Sequence, residues 1–131
     1  MDDNGLYPGR VFRQVKELRH MYVIIGVLPM ECLMANWSSA RDDKDATCLL
    51  VPADHPAIHH DSVMMYQRAK TYSVEALQAL LRDGELIPAE DVSDDVLRRI
   101  QSGFFASPNT KKYLKKRYAA LQDSLNPPGN K

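Results

Sequence analysis

The sequence predicts a mainly β (α+β) domain, a small, strongly bent barrel of about five strands followed by C-terminal helices. Three observations carry this. Ahead of Ser73 lie short runs rich in Val, Ile, Leu, Met and aromatic residues, broken by Gly, Pro, Asp and Asn. From Ser73 onward apolar residues recur at helical spacing between start and stop signals. The gaps between strand candidates are mostly shorter than the dozen or more residues that a parallel crossover needs, and the one longer gap, 52–61, lacks helical periodicity.

The strand candidates are Val11 to Val15, Met21 to Val27, Glu31 to Trp37, Thr47 to Val51 and Ser62 to Tyr66. Five short strands do not bury both faces of a flat sheet, which favours a bent barrel with helices at its end. Ser73 is an N-cap ahead of Val74, Leu77, Leu80 and Leu81, and Gly84 is the stop. Ser93 starts a second helix, with Asp94 and Asp95 in the dipole-favoured first turn, apolar Val96, Leu97 and Ile100, and Gly103 as its end. Ser107-Pro108 opens a third, running to about Asp123 with Tyr113, Leu114, Tyr118, Leu121 and Leu125 as its apolar stripe, before Pro127 and Pro128.

A chain of 131 residues is enough for one domain: barrel over 9–72, helical part over 73–125, frayed tail over 126–131. Charged residues make up 26% and the formal net charge is zero, which fits neither a disordered chain nor a dedicated polyanion binder. The longest mostly apolar run, Met21 to Met30, is half a membrane span and holds Gly26 and Pro29, so no membrane helix is expected. The acidic start, Asp2-Asp3, is unlike a secretory signal, and a cytoplasmic location is the expectation. Cys32 and Cys48 read as reduced, buried core residues.

Four features bear on chemistry. The polar loop from Ser38 through Arg41 to Ala46 follows an apolar strand and places hydroxyls where they can bond a phosphate; the plain alternative is a solvated hairpin loop. Arg19 and His20, just before the second strand, join a cation to a group that titrates near neutrality, which suits acid–base work on a phosphoryl group. His55, His59 and His60 lie in one eight-residue stretch, where Pro56 disfavours the helix that a His55–His59 metal pair would need. No metal site is assigned; the imidazoles are expected to hydrogen-bond within a turn. Lys111, Lys112, Lys115, Lys116 and Arg117 form a basic run that either stays solvated or attracts a phosphate backbone.

The order of the pieces Gly9-Arg10-Val11-Phe12, Arg19-His20-Met21-Tyr22-Val23-Ile24-Ile25, Leu33-Met34-Ala35-Asn36-Trp37-Ser38-Ser39, Thr47-Cys48-Leu49-Leu50 and Val63 to Thr71 resembles the PemK/MazF-type toxins of toxin–antitoxin systems. The likeness covers roughly residues 9–85 and is nearest to a divergent branch with an Asp-His-Pro-x-Ile-x-His loop, here Asp54 to His60. It implies an SH3-like barrel, a homodimer, a cognate antitoxin and cleavage of single-stranded RNA by 2′-hydroxyl attack without a metal or other cofactor, as in a type II endoribonuclease toxin. It also implies catalytic roles for His20 or Arg19, at the family's arginine position, and for Ser38 and Ser39, at its Thr/Ser pair. The family's Arg-Pro is His20-Met21 here, and Gln67 or Arg68 stands where several members carry an acid. The alternative reading is a non-catalytic SH3-like RNA- or protein-interaction module of a defence or mobile-element system.

Overall fold

The computed structural model describes residues 5–16, 20–41 and 44–125. Arg19 and the tail 126–131 lie outside the described residues. Antiparallel strands β1 (Val11–Gln14), β2 (Met21–Leu28), β3 (Glu31–Ser39), β4 (Leu49–Leu50), β5 (Ser62–Met64) and β6 (Lys70–Ser73) precede α1 (Val74–Arg82). Then come β7 (Leu86–Ala89), α2 (Asp94–Ala106), α3 (Lys112–Arg117) and α4 (Ala119–Leu125). The strands pair in the order β4-β5-β3-β2-β1-β7. The nine-residue β3 is long enough to take two partners along one edge, β6 against Glu31–Met34 and β5 against Trp37–Ser39. The chain is thus α+β, strand-rich before Ser73 and helix-rich after it.

Side chains alternate across a strand, so β2 and β3 feed two cores. Val23, Ile25, Leu33, Ala35 and Trp37 face one core, where Ile100 and Phe104 of α2, Leu114 of α3 and Tyr118 pack. Phe12, Ile24, Cys32 and Met34 face the other, covered by Leu77 of α1 and by Leu86. Helices therefore lie over both faces of the sheet and not only at one end, as the sequence had suggested. This is why β2 and β3 read as nearly continuous apolar runs. Burial pushes the Cys32 thiol up to about 11 and raises that of Cys48 as well, so few of either are thiolate at neutral pH.

The helix starts follow local chemistry. The Ser73 hydroxyl accepts from the Ala76 amide at 3.0 Å and the Ser93 hydroxyl from the Val96 amide at 3.2 Å. Gly84, at φ +76°, lets the chain leave α1. Two expected boundaries are corrected. Gly103 does not end α2, which continues to Ala106; it lies beneath Tyr66, whose hydroxyl donates to the Ile100 carbonyl at 2.7 Å. Nor does Ser107 open a helix. Its hydroxyl donates to Asp45 and accepts from the Asn109 amide, which ties Ser107 into a turn, and the chain is helical again only from Lys112, with a break at Tyr118. In the expected stripe Leu114 and Tyr118 are buried, whereas Tyr113 is 62% exposed.

Candidate active site

The cleft grows from the end of β3. The pairing Ser39↔Ser62 carries the chain back along the line of β5, so that His60, two residues before Ser62, falls on the Ser39 side of the strand. The Ser39 hydroxyl and His60 Nε2 are 2.5 Å apart. The backbone around this pair is fixed: the Ser62 hydroxyl donates to the His60 carbonyl at 3.0 Å and the Ala40 amide to the Asp61 carbonyl at 3.0 Å.

His55 anchors the segment that presents the other two histidines. It is buried, with its ring 5.2 Å from that of Trp37. The Ala57 amide donates to Nδ1 at 3.0 Å, so Nδ1 carries no proton and Nε2 donates to the Glu90 carbonyl at 2.6 Å. Asp54, one residue earlier, accepts from the Val51 amide at 2.8 Å and pairs with Arg99 at 2.6 Å. The expected turn is thus present with its imidazole bonded inside it, but only His55 is spent on structure; His59 and His60 remain exposed at the cleft.

His20 enters from the opposite strand. The register Met21↔Trp37 places the start of β2 beside the end of β3, and His20, one residue earlier, joins Ser38, Ser39, Arg41, His59 and His60 around a cavity of about 650 Å³. Met21 and Trp37 supply apolar wall, and no carboxylate among the described residues lines the cavity. Lys44 Nζ donates to the Ser38 hydroxyl at 2.8 Å and to the Ser39 carbonyl at 2.9 Å, fixing the Ser38 side chain and the Ser39 backbone.

The structure therefore brings together four of the sequence-nominated residues, His20, Ser38, Ser39 and Arg41. Of the basic run, Lys112, Lys115 and Lys116 do not line the cleft. Arg117 is held by Glu31, with Nε and Nη2 at 2.6 and 3.0 Å from its carboxylate, while the Tyr118 hydroxyl donates to the same group at 3.0 Å. The Arg117 bond holds the Glu31 carboxyl below the usual carboxylate range; this cation docks α3 onto β3. His60 and Lys44 were not singled out from sequence. The register of β5 against β3 is what places His60, and Lys44 carries no signal beyond membership of the polar loop.

The loop itself is pinned by Asp45. Partial burial raises the Asp45 carboxyl pKa, but hydrogen bonds from the Ser107 hydroxyl, the Thr47 hydroxyl and amide, and Asn109 outweigh this and hold it at about 2. A depressed carboxyl pKa contributes stability that is complete above the unfolded value, near pH 4, and is lost as pH falls toward 2. Asp45→Asn is expected to flatten that part of the acid-unfolding curve and Asp45→Ala to cost about 2 kcal/mol at neutral pH, as read from urea midpoints across pH. An unaltered acid limb in Asp45→Asn would contradict this.

Comparison of the chain with protein-family models, curated proteins and solved structures finds no match. No helix among the described residues is long and apolar enough to cross a membrane.

Proposed function

We propose that the chain is a metal-independent endoribonuclease that cuts single-stranded RNA by attack of a ribose 2′-hydroxyl on the adjacent phosphate. The observation that supports it is the convergence of two separate imidazoles, His20 and the Ser39-bonded His60, on one cleft that also holds Ser38 and Arg41 and, among the described residues, no carboxylate. The reaction needs those parts. One imidazole takes the 2′-hydroxyl proton as O2′ bonds to phosphorus; the bond from phosphorus to O5′ breaks, and the other imidazole gives O5′ its proton. The products are a 2′,3′-cyclic phosphate and a 5′-hydroxyl. Arg41, with the Ser38 hydroxyl that Lys44 orients, stabilises charge on the non-bridging oxygens.

The family resemblance adds a homodimer and a cognate antitoxin to this reading. Exposed Val15 and Ile87, near the end of the sheet formed by β7, offer apolar surface for such a contact.

Labelled single-stranded RNA incubated with the protein in excess chelator is expected to be cut, and a single 2′-deoxy nucleotide 5′ of a cut site to abolish cleavage there. Binding of RNA without cleavage would select the non-catalytic interaction module instead.

A further inference from the structure

His20 lines a second hollow as well as the cleft. This hollow, of about 370 Å³, lies at the low end of the roughly 300–1,000 Å³ typical of small-ligand sites. Its cations are Arg68, Lys70 and Lys111, its aromatic rings those of Tyr22 and Tyr72, and no carboxylate among the described residues lines it. In a chain with 17 acidic and 17 basic side chains, two adjoining concavities with no acid among their described lining residues amount to a segregation of charge.

The architecture explains how they adjoin. Met21 and Trp37, in the cleft wall, belong to the sheet face under α2 and α3 or extend it, whereas Tyr22 and Tyr72 pack against the core on the opposite face. His20 stands just before β2, at the sheet's end, where a strand of substrate can pass from one face to the other. Lys70 Nζ lies 5.3 Å from the centroid of the Tyr72 ring, and Lys111, placed by its bond to the Gln67 carbonyl at 3.2 Å, overhangs from the helical layer. Cations that follow a backbone, set beside rings that a base can stack on, are the two parts of a single-strand track.

We infer that the hollow of Arg68, Lys70, Lys111, Tyr22 and Tyr72 is a second nucleotide subsite, holding the base and phosphate next to the scissile linkage. The inference rests on the endoribonuclease reading and deepens it: the substrate is an oligonucleotide that occupies both concavities, and a dinucleotide, which fills only the cleft, is a poor one. Of the basic run, Lys111 is the cation that serves this track.

The test uses the full chain and fluorescent 2′-O-methyl oligoribonucleotides, which bind but cannot be cut. Binding is expected to strengthen at least tenfold between the dimer and the hexamer. The Arg68→Glu, Lys70→Glu double variant, whose two positions are exposed, should lose that gain and lower the slope of log affinity against log salt by about 0.7 per lost phosphate contact. Tyr72→Phe should retain the gain and Tyr72→Leu lose about tenfold. Circular dichroism establishes that the variants are folded. An unchanged salt slope and length dependence in the double variant would overturn the inference, and if unmodified RNA is still cut, the cleavage reading stands without it. Charge-dependent binding with no cleavage of unmodified RNA would keep the subsite and remove the enzyme; failure of the parent chain to bind any oligonucleotide would remove both.

Discussion

Replacing His60 by alanine is expected to lower the rate of RNA cleavage roughly 10²–10⁴-fold, the usual worth of a positioned acid or base. His60 is exposed and its ring bonds the Ser39 hydroxyl, so the fold should survive the change. His20→Ala should cost a comparable factor. Because the two imidazoles take and give protons in the same displacement at phosphorus, the double variant should be little worse than either single one, as for residues that work as a unit. His55→Ala should behave differently. It removes the 2.6 Å bond from the buried His55 ring to the Glu90 carbonyl and leaves the Trp37 ring without its neighbour, so its first effect is on stability. The measurement is single-turnover cleavage beside thermal unfolding for the three variants. A His60→Ala protein that cuts RNA within twofold of the parent would exclude His60 as a proton carrier.

The largest stability effect is expected at Gly103. A Cβ built there comes within 3.1 Å of the Cys48 Cβ and of Tyr66 Cζ, and closer still to the Tyr66 hydroxyl. Tyr66 is fully buried and donates to the Ile100 carbonyl within the same helix. Gly103→Ala therefore forces a core ring to move and strands its hydroxyl, costs of about 1–3 kcal/mol each, against a gain of about 1 kcal/mol in helix propensity. The net is a loss of about 2 kcal/mol, or roughly 5–10 °C in Tm. Adding Tyr66→Phe removes the atom that meets the new methyl, so the double variant should be more stable than the sum of the single changes implies. Gly103→Ala as stable as the parent would show that α2 is not packed against Tyr66 and Cys48 as described.

Gly103 also shows why its helix was misread from sequence. A glycine near the end of an apolar stripe is most often a stop, and only the Tyr66 ring, thirty-seven positions away in the chain, makes it an interior contact. Ser73, Ser93 and Gly84 were legible because capping is decided within four residues. The first five strands were legible because their apolar runs are bounded by turn residues. β6 and β7 were not: Lys70–Ser73 is mostly polar and Leu86–Ala89 contains Pro88, so each is a strand through its partner, β3 or β1, and not through its own composition. The same distinction divides the site. Ser38, Ser39, Arg41 and His20 were found because hydroxyls, cations and an imidazole flanking apolar strands are local signals. His60 was one of three histidines in a loop, and nothing local separates it from His55. One ring is turned into the core by Trp37 and Glu90, the other laid against Ser39 by the pairing of β5 with β3.

The convergence of His20 and His60 on one phosphate is the centre of the account, and the chemical ends of the RNA fragments test it most directly. Mass spectrometry of fragments produced by the parent chain in chelator is predicted to show 2′,3′-cyclic phosphate and 5′-hydroxyl termini, with neither above background for His60→Ala. Fragments ending in 3′-hydroxyl and 5′-phosphate, or no fragments from a chain that binds RNA, would contradict it.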